Sequence, residues 1–282
     1  MTYSLNLCVA ALLFATACSS PSERFDQQAS TLGMHKQKLE GDGFTHTIYK
    51  NSPADDSSEL HVYFGGDGTP WIDGKVIAWD PTPRNPVGLR LMALDDTPSI
   101  YLGRPCYHGS SGSSACSPIL WTYERYSRTV TESMASVLQK IVEQGKYRDL
   151  VLIGFSGGGG IAMFLAAEFP QTRQVVTLAG NLDIEAWTHL HDYDKLIGSE
   201  NPKSMPPLPE EIQQYHLAGG KDENIPPWMI EAAVQAQSNS QFITVEEFTH
   251  GCCWEKIWKR MLNCLHDACE WNKQGRIIAI ED

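Results

Sequence analysis

The stretch from Asp149 to Leu165 constrains the fold of this chain more than any other. Leu150 to Ile153 is a short, unbroken apolar run, as expected of a central strand buried on both faces. Gly154-Phe155-Ser156-Gly157-Gly158 follows at once, and Ile161, Phe164 and Leu165 then recur at helical spacing before Pro170. A strand, a sharp turn carrying a serine and a helix is the order that lifts a hydroxyl nucleophile above a sheet. Such a turn strains the serine backbone, so its neighbours must lack bulk, and Gly154 and Gly158 meet that demand. The N–H of Gly157 then falls at a helix N-terminus, where it can face a developing oxyanion.

The flanking sequence supplies the other layers of an α/β domain. Thr129 to Gln144 reads as a helix, with Val130, Met134, Val137, Leu138, Ile141 and Val142 on one stripe. Thr129 and Glu132 form a capping box, and Gly145 is a fitting stop. Pro86 to Leu94 is a second candidate helix. Strands are expected at Phe44 to Tyr49, Leu60 to Phe64, Ser99 to Leu102, Val175 to Leu178, Gln213 to Leu217 and Phe242 to Phe248. Trp254, Ile257, Trp258, Met261, Leu262 and Leu265 share one helical stripe, so a helix should begin just after His250. The 282 residues fit one large domain, with no linker-like stretch in the interior.

Two further residues fall into step with Ser156. The strand ending at Leu217 runs into Ala218-Gly219-Gly220-Lys221-Asp222, ahead of Pro226, and the last strand is followed by Thr249-His250-Gly251. On the elbow and on this chain order, Ser156, Asp222, His250, the sequence resembles the α/β-hydrolase superfamily over roughly residues 44 to 270. The resemblance implies an α/β-hydrolase fold, with a mostly parallel central sheet and helices on both faces. It also implies a serine nucleophile, an aspartate that orients a histidine base, and acyl transfer to water without cofactor or metal. A second oxyanion donor is expected from the loop Gly65-Gly66-Asp67, from the N–H of Asp67 with Gly66 as the alternative. Asp183 also follows a strand and is the rival acid. Carboxylic ester hydrolysis on a small molecule is the commonest outcome of this constellation. Peptidase or acyltransferase activity on the same residues is the alternative, and a non-catalytic envelope lipoprotein is a third reading. Trp71, Trp121, Trp187 and Trp254 flank the proposed loops, as pocket walls or as core. His189-x-His191 is a weak metal pattern and reads as a surface pair.

Charge and cysteines speak to location. A net charge of −12 argues against nucleic acid as a partner. Leu5 to Ala17 is apolar apart from Asn6 and Thr16, too short to span a bilayer and shaped like a signal-peptide core. Its end, Ala15-Thr16-Ala17-Cys18-Ser19-Ser20, resembles a bacterial lipobox, which implies lipidation of Cys18 and attachment of an exported, cell-envelope protein to a membrane. Cleavage after Ala17 as an ordinary signal peptide is the alternative. The sequence therefore divides into a signal over residues 1–18, a flexible tether over 19–33 and the hydrolase domain over 34–282. Six cysteines remain beyond Cys18, an even number that suggests disulfides in an exported chain. Cys106 and Cys116 bracket a Gly/Ser-rich loop and are expected to pair. Along a helix, the 11 residues from Cys253 to Cys264 (264 − 253) span ~16 Å, beyond disulfide reach. Cys264 is thus assigned to Cys269. Cys252 and Cys253 are left as a vicinal pair, as free thiols, or as a cross-link to the 106–116 loop.

Overall fold

The computed structural model describes residues 19–51, 57–266 and 276–277. The chain opens with α1 (Pro21–Thr31), β1 (His35–Gly41), β2 (Phe44–Lys50) and β3 (Glu59–Phe64). A small hairpin, β4 (Trp71–Ile72) and β5 (Val76–Ile77), and α2 (Val87–Met92) lead to β6 (Ser99–Leu102). Then come α3 (Arg128–Gly145), β7 (Asp149–Phe155), α4 (Gly157–Glu168), β8 (Thr172–Leu178) and α5 (Ile184–Leu190). The chain continues through β9 (Gln213–Gly219), α6 (Pro227–Val234), β10 (Ser240–Val245), α7 (Glu255–His266) and β11 (Arg276–Ile277).

The main sheet has the order β1-β2-β6-β3-β7-β8-β9-β10-β11. Pairing is antiparallel at β1–β2 and β2–β6, and parallel from β6 onward. Side chains alternate across a strand, so β7 feeds two cores. Leu150 and Leu152 join the core beneath α3, α4 and α6, while Val151, Ile153 and Phe155 join the core beneath α1, α2 and α7. This explains why Leu150 to Ile153 is apolar without a break. The α/β sandwich expected from the sequence is the fold observed.

Several local expectations are corrected. Residues 19–33 are not a tether: Ser20 and Glu23 form a capping box and Pro21–Thr31 is helical. Phe25, only 2% exposed, inserts among Tyr49, Tyr101 and His108. Two apolar anchors in eleven residues, Phe25 and Ala29, leave too thin a stripe for the helix to show as a periodicity. The cap of α3 is Ser127, whose hydroxyl accepts from the Val130 N–H, rather than Thr129. Lys146, not Gly145, takes the left-handed position at the end of α3, with φ 54°. Gly145 is needed for space, since a Cβ there would lie 2.1 Å from the Tyr147 ring. β10 ends at Val245 rather than Phe248. α7 begins at Glu255, because Cys252 and Cys253 are bonded to each other and Cys253 has φ 81°. Cys18 and Cys269 lie outside the described residues.

Candidate active site

Ser156 stands between the end of β7 and the start of α4, with φ 53° and ψ −125°. That left-handed conformation costs a non-glycine residue energy, and the surroundings over-determine it. Its N–H donates to the Leu178 carbonyl at 2.9 Å, and its own carbonyl accepts from the Asn181 N–H at 2.9 Å. The two glycines of the motif provide clearance. A Cβ on Gly154 would sit 2.2 Å from the Gly158 oxygen, and one on Gly158 would sit 2.3 Å from the Phe64 oxygen.

The loop after β10 brings His250 over this serine. His250 Nε2 lies 2.9 Å from Ser156 Oγ, and Nδ1 lies 2.8 Å from Asp222 Oδ2. The Asp222 side chain is fully buried, whereas the His250 ring is 25% exposed toward the cavity. Asp222 Oδ1 accepts from the N–H groups of Asn224 and Ile225, each at 2.9 Å, which fixes the carboxylate as an acceptor. With the ring proton held on Nδ1 by that carboxylate, Nε2 is left with its lone pair facing the serine hydroxyl. The imidazole is steadied by the Phe155 ring at 5.2 Å, and Trp254 Nε1 donates to the His250 carbonyl at 2.9 Å.

Asp183, the rival acid, is engaged elsewhere. It caps α5 by accepting from the Ala186 N–H and pairs with Lys203 at 2.8 Å and Asn201 at 3.1 Å.

Asp67 was expected for its backbone N–H, and its side chain is what the structure places in a network. Its carboxylate is buried against Arg104 at 2.9 Å, Arg125 at 3.2 Å and the Tyr126 hydroxyl at 2.7 Å. Burial alone raises its pKa, but the two guanidiniums overcome this and hold it below the usual carboxylate range. Two cations on one anion leave this cluster with a net charge of +1. A Cβ on Gly157 would lie 1.9 Å from Asp67 Oδ1, so the Gly157 backbone packs directly against the Asp67 carboxylate. Gly66 packs on the serine itself, its Cβ position 3.2 Å from Ser156 Cβ.

The profile of the alpha/beta hydrolase fold family matches residues 105–254, more than half of the 282. This chain is an alpha/beta hydrolase. None of the curated proteins matches it. Among solved structures, it superposes on a putative lipase from Acinetobacter baumannii with a TM-score of 0.58 and 15% identity, over 88% of this chain and 96% of that one. It also superposes on an esterase from Pyrococcus furiosus with a TM-score of 0.59 and 10% identity, over 84% and 92% of the two chains. A puromycin-hydrolyzing peptidase from Mycobacterium tuberculosis gives 0.58 and 14%, over 82% of this chain and 38% of that one.

Above the serine the hydrolase holds a cavity of about 800 Å³, walled by Trp71, Tyr123, Phe155, Trp187 and Tyr193 with Arg84, Arg125 and Asp194. The four flanking tryptophans divide: Trp71 and Trp187 line the cavity, while Trp121 and Trp254 are core at 1% and 0% exposure. His191 Nε2 bonds the Asn224 carbonyl at 2.8 Å and His189 is exposed, so this pair does not converge on one point. Cys106 and Cys116 are bonded, closing the loop that begins just after Arg104. Cys264 is also in a disulfide, and the pairing expected for it lies outside the described residues.

Sequence reasoning missed Asn224 and the arginine cluster. Asn224 Nδ2 approaches His250 Nε2 at 3.2 Å, and its Oδ1 accepts from Trp187 Nε1 at 3.2 Å. No spacing rule singles out an asparagine two residues past the acid. Arg104 and Arg125 come from loops that only the folded chain brings together.

Proposed function

We propose that this hydrolase cleaves carboxylic esters of small molecules through an acyl-enzyme on Ser156. The observation that carries the reading is the continuous relay from Asp222 to His250 to Ser156, at 2.8 and 2.9 Å. His250 Nε2 takes the hydroxyl proton as Ser156 Oγ attacks the carbonyl carbon. Asp222 keeps the ring in the required tautomer and stabilises the imidazolium that forms. The N–H of Gly157 and that of Asp67, with Gly66 as the alternative, face the oxyanion, each contributing about 3 kcal/mol. The imidazolium returns its proton to the departing alcohol, and a water activated by the same nitrogen then releases the acid. The positive Arg104–Asp67–Arg125 cluster beside these donors favours the developing negative charge. The reading includes export and attachment through a lipidated Cys18, as the lipobox-like end of the signal supports.

The test is turnover of a p-nitrophenyl ester series and an aminoacyl-amide series, with fluorophosphonate labelling. Ser156→Ala should lower kcat by roughly 10⁴-fold or more and abolish labelling. Near-normal turnover in that variant overturns the nucleophile, and preference for the amides makes the protein a peptidase.

A further inference from the structure

Four of the nine large apolar side chains left in water among the described residues fall together at one place on the rim of the cavity. Ile72, Val76, Ile77 and Trp79 are 40%, 61%, 40% and 75% exposed, all within the β4–β5 hairpin and the turn after it. A two-stranded ribbon is marginal by itself. This one is anchored from behind: Ala78 donates to the Pro70 carbonyl at 2.9 Å, and Trp121 Nε1 donates to the Ala78 carbonyl at 3.0 Å. One side of the hairpin belongs to the cavity, since Trp71 and Gly74 line it alongside Ser156 and His250. Apolar groups held out by a built rim mark a surface that is covered in use.

The first turn of α1 is pinned to the same spot. Asp80, the residue after Trp79, accepts from the Ser22 N–H at 2.9 Å and from the Ser22 hydroxyl at 2.6 Å. The Ser22 hydroxyl also meets Thr82 at 3.0 Å. Cys18 precedes Ser22 by four residues, which is at most ~14 Å of extended chain. A lipid attached at Cys18 therefore brings a bilayer surface to the hairpin. The hairpin tip carries one acid and one base, Asp73 and Lys75, so the tip is neutral, while Asp80 behind it is held by Ser22. With a net charge of −12 on the chain, a zwitterionic surface fits it better than an anionic one. Trp79 is of the type that settles at the headgroup level.

We propose that the β4–β5 hairpin and Trp79 dock on a zwitterionic bilayer, and that the cavity takes its ester from a lipid resident there. This rests on the ester-hydrolase reading and on the N-terminal anchor. Hydrolysis breaks the acyl–oxygen bond of the lipid with one water, leaving a carboxylic acid in the membrane and an alcohol.

The test uses the full chain reconstituted in phosphatidylcholine vesicles. Wild type is compared with Val76→Ser/Ile77→Ser and, separately, with Trp79→Ser, neither of which touches the relay. Three readouts are taken: hydrolysis of a fluorogenic acyl phospholipid in the vesicles, hydrolysis of soluble p-nitrophenyl acetate, and tryptophan quenching by brominated phosphatidylcholine. The docking surface predicts a fall of about tenfold or more on the vesicle ester, as expected for losing the burial of two apolar side chains. Soluble turnover should stay within about twofold. Quenching, read as the part that Trp79→Phe removes, should fall in Val76→Ser/Ile77→Ser. Unchanged vesicle turnover and quenching overturn the proposal, as does a wild-type dimer that these variants dissociate. If wild type hydrolyses neither ester, the ester reading fails, while quenching still decides whether the rim docks.

Discussion

Asp183 and Asp222 both follow a strand of the parallel sheet, and their surroundings separate them. Asp222 gives one carboxylate oxygen to two backbone N–H groups and the other to His250. Asp183 caps a helix and meets a lysine whose side chain is 43% exposed. An asparagine at Asp222 can present its amide to Nδ1, which stabilises the wrong ring tautomer. Asp222→Asn should therefore lower kcat by about 10⁴-fold. Asparagine still caps a helix and can still accept from Lys203, whose ammonium is half-exposed, so Asp183→Asn should keep activity within a few-fold and stability within ~1 kcal/mol. Steady-state kinetics and urea titration of the two variants check this, and the reverse ranking would reassign the acid. At this scale Ser156, Asp222 and His250 were legible from motif and chain order. Asn224, Arg104, Arg125 and Tyr126 were not, because a side chain that reaches a site from another loop leaves no pattern at its own position.

Among the elements, α4 shows how closely glycine controls the site. It begins beside β7 and passes within contact of β3, and Gly158 has no room for a methyl group against the backbone of Phe64. Backbone atoms in a parallel sheet cannot move aside as a side-chain tip can. Gly158→Ala should lower unfolding stability by about 1–3 kcal/mol, read as a drop in urea midpoint at constant slope. A variant as stable as wild type would show that the helix can shift away from the sheet. The strands of the parallel core were legible because burial on both faces writes itself as an apolar run. α1 and the β4–β5 hairpin were not, since one packs through Phe25 and Ala29 and the other keeps its apolar residues in water.

Across the whole molecule, the end of the sheet away from Ser156 is tied by a buried polar network. His61 Nδ1 meets Asp95 at 2.7 Å and Nε2 meets Glu59 at 3.2 Å. The Tyr63 hydroxyl donates to Asp95 at 2.5 Å and accepts from Trp258 Nε1 at 3.2 Å, so β3, α7 and the turn after α2 share one cluster. Burial alone would lower the His61 pKa, but Asp95 and Glu59 overcome it and raise it from 6.5 to about 9. The folded state thus binds this proton more tightly than the unfolded chain. Its contribution is fully present below about pH 6.5 and is lost as pH rises through about 9. Unfolding free energy should fall across that window in wild type and fall less in His61→Gln, as measured by urea titration at each pH. Equal slopes for the two proteins would mean that His61 is not the group responsible.

The sequence by itself determined the α/β class, the serine elbow, the Cys106–Cys116 bond and the expectation of export. Each of these rests on residues near one another in the chain, where backbone geometry turns spacing directly into structure. Only the tertiary structure decided how Asp67 is held between two arginines and that residues 21–31 are helical. It alone showed that the first turn of α1 and an apolar hairpin lie together at the rim of the cavity. Those facts depend on strand order, and strand order is set by pairing between segments as distant as β3 and β7. The free energy of such pairing is shared across the whole sheet, so no single stretch of residues records it.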